Sequence, residues 1–145
     1  MKLFKTKAGV VIEQADQFFL VTDENWDEFI NNDDVFEKAK ALTSTLPASD
    51  KTLISEVLPP MGSNQELWAC GVTYYRSMVG RQEESKAAGG ADFYSKVYEA
   101  ERPECFFKSS FHRVVGHNDF VRIRKDSTWD VPEPELTLVV TSSGK

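Results

Sequence analysis

The chain has 145 residues and a formal net charge of −6, enough material for one good core or for a small domain and part of another. That acidic balance argues against a nucleic-acid backbone or an anionic membrane surface as partner. Hydrophobic residues make up 41% and charged residues 28%, as in ordinary globular proteins, and no apolar run reaches the ~20 residues of a membrane span.

The N-terminus, Met1 to Lys7, is positively charged but leads into no long apolar region, so it does not read as a signal peptide. Short strands joined by turns are predicted over Leu3 to Thr6, Val10 to Ile12 and Phe18 to Thr22. Asp23 is a plausible N-cap for a helix carrying Trp26, Phe29 and Ile30 on one face. Asp33 or Asp34 can cap a second helix, with Val35, Phe36, Ala39 and Leu42 at helical spacing, and Pro47 ends it. Leu53 to Leu58 reads as a strand. The run Pro59-Pro60-Met61-Gly62-Ser63-Asn64 is the best linker in the chain, and it predicts a small domain over residues 1–62 and a second over 63–145.

Past the linker, Leu67 to Val72 reads as a buried strand. Helices are expected over about Tyr74 to Ala87 and Asp92 to Glu101, the second with an apolar stripe of Phe93, Val97 and Tyr98. Pro103 closes it and Glu104 to Lys108 returns to strand. Phe120 to Ile123 alternates with Arg122 and Arg124 as a half-buried strand. Leu136 to Val140 is the last predicted strand, followed by a hairpin-type turn at Thr141 to Gly144. A strand there calls for a neighbour along its edge, so the chain reads as cut within its fold.

The stretch with the most chemical content is Thr128 to Val140. If Glu133 opens its strand, period-two alternation points Glu133 and Glu135 to one face, their Cα atoms ~6.5 Å apart, within reach of one hard cation. The plainer reading is a solvated face, but Pro132 and Pro134 stiffen the approach and remove two ladder donors, which places the pair at a sheet edge or rim. Gly71-Val72-Thr73 sits at a strand-to-helix junction, where backbone amides can hold a carboxylate or phosphate; an ordinary tight turn is the alternative. Lys108 alternates with Phe106 and so is expected to point the same way. Cys70 and Cys105 lie far apart in sequence without zinc-ligand spacing and read as reduced thiols of a cytoplasmic protein. His112 and His117 fit no metal-binding spacing. No Walker loop, GxGxxG or Ser/His/Asp order is present.

Three segments, 68–74 (Trp-Ala-Cys-Gly-Val-Thr-Tyr), 101–108 (Glu-Arg-Pro-Glu-Cys-Phe-Phe-Lys) and 126–140, together resemble the fumarylacetoacetate hydrolase superfamily, from about Glu66 to Lys145. The resemblance implies an α+β chain: a small α/β N-terminal domain, then the first part of a mixed β-roll catalytic domain that works as a homodimer around a divalent cation. It maps the family's Glu-x-Glu cation ligands onto Glu133 and Glu135, with Mg²⁺, or Mn²⁺ or Ca²⁺, as the ion. The family's later acidic ligand would lie beyond Lys145, so the 145 residues alone are expected to be inactive.

Hydrolase and decarboxylase members carry a histidine shortly after the Gly-x-Asn-Tyr-like turn; here Ser77 stands there and Thr73 replaces the asparagine. The stretches 102–104 and 124–135 instead look like the sugar-acid branch, dehydratases of 2-keto-3-deoxy-sugar acids of the arabinonate or xylonate type. The resemblance then implies a keto-acid substrate chelated by the cation, removal of a C3 proton and loss of the C4 hydroxyl to give 2,5-dioxopentanoate. Gly71, Val72, Thr73 and Lys108 would receive the substrate carboxylate, and Glu104 is the candidate for proton transfer. Two alternatives stand beside this reading: a family hydrolase acting on an acylpyruvate, and a non-catalytic binding or assembly module in which Glu133 and Glu135 are surface residues.

Overall fold

A computed structural model describes residues 1–71, 74–86, 96, 99–128, 130 and 132–145. It divides into two compact units, one formed by Met1–Asn64 with Phe111–Lys145, the other by Gln65–Ser110. The break at 64/65 falls at the end of the proline-rich run, and residues from Phe111 onward group with the N-terminal segment.

In the first unit β1 (Lys2–Thr6), β2 (Gly9–Gln14) and β3 (Gln17–Val21) form an antiparallel meander. Register puts Leu3, Ile12 and Phe19 side by side, and Val10 opposite Val21, so alternation gathers them on one face. Helices α1 (Trp26–Ile30) and α2 (Val35–Thr45) cover that face. Val10, Ile12, Phe19, Val21, Phe29, Ile30 and Ala39 form the buried core, with Leu3, Trp26, Val35, Leu42 and Leu46 packed around it. Gly9, at φ +139°, opens β2 where a Cβ would lie 2.3 Å from the Val21 carbonyl oxygen, which only glycine tolerates.

The cap of α1 is Asn25 rather than the expected Asp23: its side chain accepts the N–H groups of Asp27 and Glu28. The side chain caps only from the position directly before the first helical residue, and that residue is Trp26. Asp34 does precede α2, but its side chain makes no capping bond. Phe36, expected on the buried stripe, is 57% exposed and lines a shallow apolar recess with Met1, Leu3, Val35 and Ala39.

Leu53 to Leu58 is not a strand. Asp50 accepts the Thr52 N–H at 2.7 Å and starts a 3-10 turn over Lys51–Ile54, so the local cap overrides the apolar pattern. The chain on either side of this turn meets each outer strand in a single bridge, Ser49 with Phe18 on the β3 side and Val57 with Thr6 on the β1 side. The Ser49 and Leu58 amides donate to the Phe18 and Lys5 carbonyls at 2.7 and 2.8 Å. One edge carbonyl on each outer strand, that of Phe18 and that of Lys5, is thereby occupied.

The proline-rich run is pinned rather than loose. Lys5 Nζ donates to the Met61 carbonyl, Trp26 Nε1 to that of Pro60, and Ser63 donates twice to the Asp27 carboxylate. Further along, Phe120 to Ile123 and Leu136 to Val140 lie outside any strand. Phe120, Val121, Leu136 and Leu138 are each more than two-thirds exposed. The hydrophobic pattern of a strand is present, but neither sheet takes these segments into its ladder, and without a ladder the pattern alone does not make a strand.

In the second unit β4 (Glu66–Cys70) pairs antiparallel with β5 (Cys105–Ser110), and α3 runs over Tyr75–Lys86. β4 was expected to be buried; only Ala69 is, and Trp68 is 58% exposed. Trp68 and Phe107 face each other across the ladder and pack edge-to-face at 6.0 Å. Most of the helix expected over about 92–101, with Phe93, Val97 and Tyr98, falls outside the described residues. Among the described residues no helix is long and apolar enough to cross a membrane.

Candidate functional site

The candidate residues fall in both units. Glu133 and Glu135 belong to the first, exposed, on backbone that is part of no strand. Their shared direction was predicted from strand pleating; the pleat is not fixed by a ladder here. What does organise the approach to them is local. Arg124 grips Asp126 with both Nε and Nη2, the Nε bond measuring 2.9 Å. The Ser127 amide donates to the Arg124 carbonyl at 3.1 Å, and Ser127 Oγ donates to Asp130 at 3.0 Å. The guanidinium holds the Asp126 carboxyl below its ordinary range, and Asp126 in turn raises the Arg124 pKa.

This turn consumes Asp126 and Asp130 in internal bonds. Arg124, Asp126 and Asp130 were visible in the sequence as part of the resembling segment without a role; the i, i+2 charge pair was the signal for the turn. Among the described residues no three His, Cys, Asp or Glu side chains gather as a metal cluster. His112 lies against Phe111, ring centroids 3.8 Å apart and planes inclined at 39°.

In the second unit Gly71 and Glu104 stand opposite each other at the end of the β4–β5 ladder. The Gly71 N–H donates to the Glu104 carbonyl at 2.9 Å. Its amide is therefore engaged, and amides to hold a carboxylate at this turn would have to be those of Val72 and Thr73, which lie outside the described residues. Glu104 is exposed beside the first residue of β5.

Lys108 departs from the expected alternation. Trp68 pairs with Phe107 while Leu67 pairs with Ser109, so Lys108 is the extra residue of a β-bulge. A bulge re-aims its side chains and twists the strand, so pleating no longer ties Lys108 to the side of Phe106. The β4–β5 ladder thus carries the exposed Glu104 at one end and the exposed Lys108 at the bulge further along the same strand.

The sequence reading missed a contact at the same end of the ladder. Cys70 and Cys105, 35 residues apart, are direct ladder partners, and their sulfurs lie 3.4 Å from each other.

Two relatives match the chain. One, from Saccharolobus solfataricus, is named 2-dehydro-3-deoxy-D-arabinonate dehydratase and is 37% identical over 107 residues, 73% of this chain and 34% of the relative. The other, from Haloferax volcanii, is named probable 2-keto-3-deoxyxylonate dehydratase and is 50% identical over 76 residues, 52% of this chain and 25% of the relative. The chain is thus homologous to sugar-acid dehydratases, and its matching part spans about a third or less of their length. No family model and no solved structure matches the chain.

Proposed function

We propose that this chain is part of a divalent-cation-dependent dehydratase of 2-keto-3-deoxy-sugar acids, with the mixed β-roll and dimeric assembly of the fumarylacetoacetate hydrolase superfamily. The observation that carries this is the similarity to two proteins both named as dehydratases of five-carbon keto-deoxy acids. The matching part covers a minority of each relative, so the activity is proposed for the protein extended to the relatives' length.

The donor set fits a hard cation by type: two exposed carboxylates one residue apart, with the neighbouring Asp126 and Asp130 bonded to Arg124 and Ser127. Mg²⁺ is commonly held by one or two protein carboxylates, with water and substrate completing the octahedron. When bound, the ion supplies Lewis-acid polarisation of the substrate's 2-oxo group. Glu133 and Glu135 would hold it. Lys108 and the turn beginning at Gly71 would receive the substrate carboxylate. Glu104 would take a proton from C3, and the C4 hydroxyl would carry it away as water, leaving a 5-hydroxy-2-oxo acid unsaturated between C3 and C4. Transfer of a proton from C5 to C3 would give the C4–C5 enol, which tautomerises to 2,5-dioxopentanoate.

The test is formation of 2,5-dioxopentanoate by the full-length protein, assayed with Mg²⁺ and after chelation, beside an acylpyruvate as the competing substrate. Dehydration should require the cation, and Glu133→Gln or Glu135→Gln should lower kcat/KM by about 10²-fold, because each removes a ligand of the ion that polarises the substrate. Acylpyruvate cleavage without dehydration would overturn this reading in favour of a hydrolase. An intact protein whose folding and association ignore both substitutions and the metal would make it a binding module.

A further inference from the structure

We propose that Cys70 and Cys105 are a modification site: a redox-reversible cross-strand disulfide, formed by exchange with a low-molecular-weight disulfide of the glutathione class. Nothing in the dehydratase reading assigns these thiols a role, and the proposal does not depend on that reading.

The geometry comes from the ladder. Cys70 and Cys105 are register partners, and the neighbouring pair, Gly71 and Glu104, is joined by the Gly71 amide. Hydrogen-bonded and non-hydrogen-bonded pairs alternate along an antiparallel ladder, so Cys70 and Cys105 occupy a non-hydrogen-bonded position, where Cα atoms stand about 4.5 Å apart. That separation lies inside the range disulfides span without backbone movement. The sulfurs are 3.4 Å apart, so bonding at about 2.0 Å requires them to close by roughly 1.4 Å, a displacement that side-chain rotation supplies. Trp68 and Phe107, the non-hydrogen-bonded pair next along the same face, pack on each other and hold the strands in register.

Access is unequal and suits stepwise exchange. Cys105 is exposed and Cys70 half-buried. The Cys105 thiolate attacks one sulfur of the small disulfide, forming a mixed disulfide at Cys105 and releasing one small thiolate. The Cys70 thiolate then attacks the Cys105 sulfur, the protein disulfide forms and the second small thiolate leaves. Two protein thiols are oxidised and one small disulfide is reduced to two thiols. The bond would tie the residue before Gly71 to the residue after Glu104.

The experiment equilibrates the protein, at two concentrations, with graded mixtures of reduced and oxidised glutathione, quenches with acid and reads intact mass and peptide maps. The expected product is a Cys70–Cys105 crosslink lacking two hydrogens, independent of protein concentration, with no accumulating glutathione adduct. Cys70→Ser and Cys105→Ser should each accumulate the adduct on the remaining thiol. The wild-type chain in denaturant should form the crosslink with an effective concentration at least about tenfold lower, because the unfolded loop must close by chance. Adducts or intermolecular bonds in place of the crosslink would overturn the proposal. So would equal crosslinking in the native and denatured chain, a comparison that decides the matter even if a serine variant fails to fold.

Discussion

Asp33 shows how much one exposed carboxylate can organise. Thr141 Oγ1 and Ser143 Oγ donate to its Oδ1 at 2.7 and 2.6 Å, and Lys145 Nζ approaches Oδ2 at 3.4 Å. Beside it Asn31 accepts the Ser142 amide at 2.7 Å and donates to the Ser142 hydroxyl. The side chains of Asn31 and Asp33 thus hold the 141–145 turn, through its hydroxyls, the Lys145 ammonium and the Ser142 amide. The Ser143 and Thr141 hydroxyls are the main reason the Asp33 carboxyl titrates below its ordinary value of 3.8. A pKa depressed on docking means the contribution is complete above that ordinary value and disappears as pH falls through the lowered one. Exchange of the Ser142 amide, corrected for intrinsic rate, is therefore expected to quicken only below about pH 4. Asp33→Asn should quicken it about two- to fivefold at neutral pH, the scale of an exposed charged contact, and should abolish the acid dependence. A turn that stays acid-sensitive after Asp33→Asn would place the titrating group elsewhere.

At the scale of elements, the β2–β3 hairpin carries an unfavourable turn. Its central residues, Ala15 and Asp16, have φ of +50° and +61°, the left-handed pair that two-residue hairpins require and that Asn-Gly satisfies best. Alanine has no side chain to offset that conformation. Ala15→Asn is expected to stabilise the first unit by about 1 kcal/mol, read as a higher denaturant midpoint at an unchanged slope. No gain would mean that the flanking strands, not the turn, set the register.

The same hairpin shows what local pattern can and cannot reveal. Strands β1 to β3 were legible because apolar residues alternate and their ladders join neighbours in sequence. The turn type was not, because Ala-Asp carries no turn signature. Leu53–Leu58 misled because an Asx cap at Asp50 decides more cheaply than an apolar run. Phe120–Ile123 and Leu136–Val140 misled because strand formation needs a partner ladder, which no single segment encodes. At the candidate site, the spacing of Glu133 and Glu135 was visible, while the bulge that frees Lys108 and the bond that engages the Gly71 amide are consequences of register. The cysteine pair was hidden for the same reason: two thiols 35 residues apart meet only once β4 and β5 have chosen their alignment.

For the molecule as a whole, the cysteines sit in the unit with the least buried apolar surface. The first unit contains every residue of the buried core cluster, while in the second only Ala69 is a buried hydrophobic residue among those described. A unit of that kind has little hydrophobic burial to offset the entropy of ordering its chain. A crosslink acts on the other side of that balance, by removing conformations from the unfolded state. For a loop closed between residues 35 apart, the chain-entropy relation gives about 3 to 4 kcal/mol. Hydrogen exchange at β4 and β5 amides, compared in reduced and oxidised protein across a denaturant series, should show protection rising by that amount. β1 to β3, which contain no cysteine, serve as the internal reference. A gain below about 1 kcal/mol would mean that the bridge strains the native hairpin nearly as much as it restricts the unfolded chain. A full gain would make the oxidation state of two thiols the main determinant of how firmly the strand pair beside Glu104 and bearing Lys108 is held.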